Sequence, residues 1–119
     1  MPKYIDSFVV AVPVANLVAY KKMSRTIGKI WRDHGALEYI EWIADDVKPG
    51  KWTSYPQSVK LKEGETVLVA WIVYTSRAHR DRVSKASMAD PRMQKLMSVP
   101  MPFDGKRMIM GGFKHWLEV

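Results

Sequence analysis

Cysteine is absent from all 119 residues. That excludes disulfides, thiolate metal sites, iron–sulfur clusters and thiol nucleophiles together, and it fits a cytoplasmic setting. Long apolar runs are missing too, since none approaches the roughly 20 residues that a membrane helix needs. The opening Met-Pro-Lys-Tyr-Ile-Asp carries an acid where a signal peptide would continue its apolar stretch, so secretion is not expected. Histidine is scarce. His34, His79 and His115 stand apart, without the close pairing that dedicated metal or haem sites show. There is no glycine-rich phosphate loop, no Gly-x-Ser-x-Gly elbow and no dinucleotide fingerprint. No metal and no cofactor is therefore expected.

What remains describes one basic domain spanning residues 1–119. At 47% hydrophobic and 26% charged, the chain is too apolar for disorder. Nineteen Lys and Arg against twelve Asp and Glu leave a formal charge of +7. Such a surplus attracts nucleic acid, acidic lipid or anionic substrates without identifying any of them.

The spacing predicts six main elements. Tyr4 to Val12 is rich in β-branched and aromatic residues and apolar on both faces, as in a sheet covered on both sides. Asn16 stands where an N-cap would, and Leu17, Tyr20, Ser24, Ile27, Trp31 and His34 then form one helical stripe that Gly35 ends. Leu37 to Ala44 reads as a second strand. Residues 45–64 are rich in turn chemistry and hold either a helical turn after Pro56 or a short extension around Val59 and Leu61. Thr66 to Tyr74 contains eight successive apolar residues, a third and buried strand. Ser76 caps a helix to about Ala89, Asp90-Pro91 starts a short helix to Met97, and Arg107 to Leu117 is the last strand. Gly111-Gly112 marks a bulge or a close approach by other backbone.

The order is βαββαβ with an extra helical turn, an α+β ferredoxin-like chain whose antiparallel sheet has its first and third strands at the centre. Two helices cover one face of such a sheet. An RNA-recognition module would leave the other face open for bases, but Val67 to Tyr74 holds no glycine, Lys or Arg and misses that module's pattern. A face this apolar calls for a cover, and a second copy of the same sheet supplies one: a homodimer packed sheet on sheet.

Several runs then resemble a known family across essentially the whole chain. They are Trp31 to Tyr39, Ala44 to Lys51, Val59 to Thr66, Ser76 to Asp81, Met88 to Met93 and Met101 to Met108. Together they are similar to the YbaA-like family of bacterial proteins, a family without an established reaction. The resemblance implies a dimeric α/β barrel of the ferredoxin-like superfamily, whose members include cofactor-free monooxygenases, haem-handling enzymes and small sensor domains. It supplies no catalytic residues, and fold analogy alone is a weak warrant for function.

The residues themselves offer candidates. His34, on the stripe of Leu17 and Trp31, is either a proton shuttle at the mouth of a pocket or a histidine held by the helix end. In Arg77-Ala78-His79-Arg80-Asp81, free amides of a helix start join Arg77, His79 and Arg80 as an anion-docking site. The alternative there is surface pairing with Asp81, Asp45 and Asp46. Glu38 and Glu41 have opposite parity on their strand, so one of them points inward, where a carboxylate suits a general base. Trp71 and Tyr74 lie on opposite faces and either line a ligand cavity or pack a core or interface. Met88, Met93, Met97, Met101, Met108 and Met110 suit an adaptable apolar pocket or an irregular core.

Three functions follow. A small molecule, anionic or aromatic, binds between sheet and helices for cofactor-free catalysis or sensing, with His34 and His79 as catalytic candidates and Trp71, Tyr74, Arg77 and Arg80 as binding candidates. Alternatively the basic surface binds RNA, or the homodimer has a structural or regulatory role without a ligand.

Overall fold

Why two strands occupy the middle of the sheet follows from their side chains. In the computed structural model, which describes residues 3–119, β1 (Tyr4–Pro13) and β3 (Glu65–Tyr74) pair antiparallel from Tyr4↔Tyr74 to Pro13↔Glu65. Both are apolar on both faces, so both are stable only where neighbours and layers cover them. The shorter β2 (Glu38–Ile43) and β4 (Ile109–Lys114) flank them, giving the order β2-β3-β1-β4. This is the ferredoxin-like arrangement. Met1 and Pro2, which open the segment read for a leader, lie outside the described residues.

Helix α1 (Leu17–Asp33) stops in a complete C-terminal lock. Gly35 takes φ 114°, its amide donates to Arg32 O at 3.1 Å, and Ala36 N–H reaches Trp31 O at 3.0 Å. Those two bonds satisfy carbonyls that the helix end leaves open. Ser76 caps α3 (Arg77–Met88) by accepting from His79 N–H, and Asp90 caps α4 (Pro91–Met97) by accepting from Arg92 N–H. The uncertain stretch resolves to a single turn, α2 (Tyr55–Ser58), capped by Ser54. Beside it Val59 is only 1% exposed and packs with Ala11 and Val67, which anchors the turn and leaves no extension there.

Three local expectations are corrected. Asn16 does not cap α1, because a 3-10 turn over Val14–Asn16 runs straight into the helix and leaves its φ and ψ at −103° and 5°. Its amide instead donates to Pro102 O at 3.0 Å. The last strand ends at Lys114 rather than Leu117, since β1 starts at Tyr4 and His115 N–H already bonds Lys3 O beyond it. Gly111 and Gly112 sit in unbroken register opposite Ser7 and Asp6. What approaches Gly112 is a side chain: a Cβ there would collide with the Tyr4 hydroxyl.

Helices α1, α3 and α4 lie on one face. Tyr4, Ile72 and Tyr74 of the sheet meet Ile30, Trp31, Val83 and Met93 there, and Val10, Val12 and Leu68 meet Tyr20. On the opposite face α2 and Val59 shelter only the end near Ala11 and Val67. Trp42, Ile109 and Phe113 remain about half exposed on that side.

Candidate functional site

A cavity of about 460 Å³ lies between the helical layer and the sheet. The strand parity that buries Val10 and Val12 also turns Asp6, Phe8, Ala70 and Ile72 towards it, and β2 contributes Tyr39 and Glu41. The helices add Met23, Ile27, Trp31, Ser84, Met88 and Met93, and the segment before β4 adds Met101, Phe103 and Met108. Six methionines line it once Met110 is counted. Flexible thioethers make a wall that adapts to a ligand's shape. Met97 lies outside and is half exposed.

Two carboxylates interrupt this apolar lining. At one end Asp6, 6% exposed, accepts from Arg80 Nη1 at 2.6 Å and from the Tyr74 hydroxyl at 3.0 Å. Its charge is thus matched by a guanidinium, which also lies over the Tyr4 ring at 5.0 Å. At the other end Glu41 accepts from the Tyr20 hydroxyl at 2.5 Å and the Tyr39 hydroxyl at 3.0 Å. Among the described residues no Lys, Arg or His stands within ion-pair distance of Glu41. Each of its oxygens holds one hydroxyl and keeps further lone-pair capacity. Burial and then the Glu41 carboxylate push the Tyr20 and Tyr39 hydroxyls above the ordinary tyrosine range. Burial and Asp6 do the same to Tyr74. All three therefore remain donors at neutral pH.

The residues singled out from sequence are only partly brought together. Tyr74 and Arg80 meet at Asp6 and hold the cavity's acidic end without lining it. Arg80 also pairs with Asp81 at 2.8 Å, whereas Asp45 and Asp46 form no ion pair with these arginines among the described residues. His79 is turned inward onto its own turn, its Nδ1 accepting from Thr75 N–H at 3.0 Å and its ring edge-on to Tyr74. An accepting Nδ1 carries no proton, so the neutral ring holds its proton on Nε2. His34 stands outside the cavity, its Nε2 2.8 Å from Asp90 Oδ2, which Arg92 also binds. Trp71 is on the far face of the sheet, 5.5 Å from Trp42 between ring centres. Arg77 borders a separate shallow hollow with Lys3, Tyr4 and Lys114. Of the two glutamates, Glu41 points inward and Glu38 takes the opposite, exposed side. No group of three His, Cys, Asp or Glu is placed to hold a metal ion among the described residues.

Asp6, Tyr20 and Tyr39 escaped the sequence reading. Asp6 had a visible signal, being the one acid on the face Tyr4, Asp6, Phe8, Val10, Val12. Tyr39 had one too, since two residues along a strand put it on the same face as Glu41. Tyr20 had none, because it and Glu41 are brought together only by the packing of α1 on β2.

Residues 3–105 match the model of a family described as "Protein of unknown function (DUF1428)". The uncharacterized protein YbaA of Escherichia coli (strain K12) is 45% identical over 116 residues, covering 98% of each chain. Among solved structures, a candidate antibiotic biosynthesis monooxygenase from Nitrosomonas europaea superposes with a TM-score of 0.57 at 10% identity, over 95% of this chain and 89% of that one. A dimeric ferredoxin-like protein from an uncultured marine organism gives 0.52 at 15% identity over the full length of both. At these identities the likeness is one of fold.

Proposed function

We propose that this chain, which belongs to the DUF1428 family, binds a small, largely apolar molecule bearing a hydrogen-bond donor in the cavity between sheet and helices. The observation that carries this is Glu41. A carboxylate held by two tyrosine hydroxyls, with no ion pair among the described residues, is set at the rim of a methionine-lined cavity large enough for a metabolite. Structural packing alone would favour an apolar residue there, because an inward carboxylate costs desolvation that two neutral donors only partly offset. A ligand N–H or O–H completes its hydrogen bonding, and a base in that position serves cofactor-free proton abstraction as well as sensing. The lining speaks against an anionic group inside the cavity, since it holds no Lys, Arg or His and the Arg80 guanidinium at its acidic end already pairs with Asp6.

The working unit in this reading is a homodimer through the open sheet face. Val9, Val69, Trp71, Trp42 and Phe113 make that face apolar, and a neighbour of the same fold is a dimeric ferredoxin-like protein. An RNA-binding role finds no support on that face, whose polar strand residues are Ser7, Glu38 and Glu65 rather than lysines or arginines, with Arg107 beside it already paired with Glu65.

Native mass spectrometry of protein freshly purified from its expression host tests both statements. Twice the 13.7 kDa chain mass with a fixed small increment per chain is the expected result. That increment should vanish in Glu41→Gln. A monomer, particularly one carrying nucleotide-sized adducts, would overturn the reading.

A further inference from the structure

Three parallel stripes run along α1. Met23, Ile27 and Trp31 line the inner cavity. Lys21, Arg25, Lys29 and Arg32 line a second hollow of about 710 Å³ on the outside, between α1 and the edge strand β2. Between them runs Tyr20, Ser24, Gly28, at steps of four that keep them on one line of the helix. Side-chain size falls along that line from a phenol to a hydroxymethyl to nothing. The two hollows share Tyr20, Ser24, Tyr39 and Glu41, so cavity and groove meet at these side chains.

The groove's cations are unequally engaged. Arg32 donates to Leu37 O, and Lys29 lies 3.9 Å from Asp33. Lys21 and Arg25, one helical turn apart and both exposed, form no ion pair among the described residues. Glu41 is the groove's one acid, and both its oxygens already accept tyrosine hydroxyls. The groove therefore has a net positive field, next to a cavity whose interior offers nothing to an anion.

We propose that the ligand is an amphipathic anion. Its apolar body occupies the methionine-lined cavity, a donor on that body meets Glu41, and an acidic group at its end (a carboxylate, sulfonate or phosphate ester) rests on Lys21 and Arg25. This rests on the cavity reading above and adds the ligand's charge and its orientation. It also gives the +7 surplus one local use, since neither a cavity ligand of neutral charge nor the dimer face needs a cationic row on α1.

Two fluorescent probes with the same anilinonaphthalene body test it. 8-Anilino-1-naphthalenesulfonate carries the anion, and N-phenyl-1-naphthylamine lacks it. The sulfonate should bind about ten-fold more tightly at low salt, and Lys21→Ala/Arg25→Ala should erase that advantage while leaving the neutral probe unchanged. Raising the salt to about 0.5 M should narrow the gap in the wild type as well. Ala70→Met, which adds bulk to the cavity floor, should weaken both probes. Equal binding of the two probes, or a double variant that moves both or neither, overturns the anionic class and leaves the cavity reading standing. Failure of both probes to bind, or binding indifferent to Ala70→Met, overturns both.

Discussion

Gly28 exists where it does because of Tyr39. A Cβ at Gly28 would stand 2.8 Å from Tyr39 Cδ1 and 3.1 Å from its Cγ, so the ring lies directly on the backbone of α1. Glycine inside a helix costs roughly 1 kcal/mol relative to alanine. Here that cost lets the Tyr39 hydroxyl reach Glu41. Gly28→Ala should therefore destabilise the protein, by about 1–2 kcal/mol, although alanine is the better helix former. In a Tyr39→Ala background the same change should stabilise by up to about 1 kcal/mol. Urea denaturation of the four proteins in this cycle gives the coupling directly. A stabilising Gly28→Ala in the wild-type background would refute the close-approach account.

Arg80 answers to Asp6 in the same way. With Arg80→Ala the buried carboxylate keeps only the Tyr74 hydroxyl, and an uncompensated buried charge costs about 3 kcal/mol. Asp6→Asn added to Arg80→Ala should restore part of that loss, because the amide needs no counter-charge. Thermal or urea unfolding checks both. If the double variant were no more stable than Arg80→Ala, the guanidinium would be acting through its packing on Tyr4 instead.

How far residues foretold this arrangement depended on how local each cause was. The strands β1 and β3 announced themselves by apolar residues on both faces, and Ser76, Asp90 and Gly35 marked helix ends within two or three residues of their bonds. Parity alone sent one of Glu38 and Glu41 inward. The site's chemistry was harder to read, because its partners are far apart in the chain. Tyr20 meets Glu41 across 21 positions, Asp6 meets Arg80 across 74, and His34 meets Asp90 across 56. His34 and His79 drew attention as residue types suited to catalysis. Nothing local revealed that a distant carboxylate and a neighbouring amide already engage them.

Acid should weaken the junction of α1 with α4. The Arg92 guanidinium, with His34 behind it, holds the Asp90 carboxyl below the ordinary range, and Arg92 does the same to Asp33. A carboxyl whose folded pKa is depressed contributes stability that is fully present above its unfolded value of about 3.9. That contribution drains away as pH falls below it. Urea midpoints measured from pH 6 down to pH 2 should fall more steeply for the wild type than for Arg92→Ala. Parallel curves would show that the cluster is too solvated to matter.

Alkali should act through the tyrosines. Tyr20, Tyr39 and Tyr74 are held above the ordinary range by burial and by the carboxylates they serve. Groups with a raised folded pKa stabilise fully below the unfolded value of about 10, and that stability is lost as pH rises beyond it. Absorbance at about 295 nm should therefore show these three of the five tyrosines ionising together with unfolding. Glu41→Gln should bring part of that step to lower pH, since it removes the charge beside two of the hydroxyls. A smooth titration of all five near pH 10 in folded protein would show the Tyr20–Glu41–Tyr39 cluster to be open to water.

The uncovered sheet face yields the sharpest test of assembly. Val69 sits mid-strand on β3, opposite Val9 on one side and Trp42 on the other, facing away from α1 and α3. A lysine there remains solvated in a monomer, so Val69→Lys should leave the helix-side core and the cavity intact. In a sheet-on-sheet dimer the same lysine is buried on both copies at once, and an ammonium taken out of water without a partner is strongly unfavourable. Sedimentation should therefore show the wild type as a dimer and Val69→Lys as a folded monomer with unchanged far-ultraviolet circular dichroism. Because the cavity lies on the other side of the sheet, probe binding should survive in that monomer. If Val69→Lys remained dimeric, the copies would associate through another surface, and the apolar row of Val69, Trp71 and Trp42 would need a different partner.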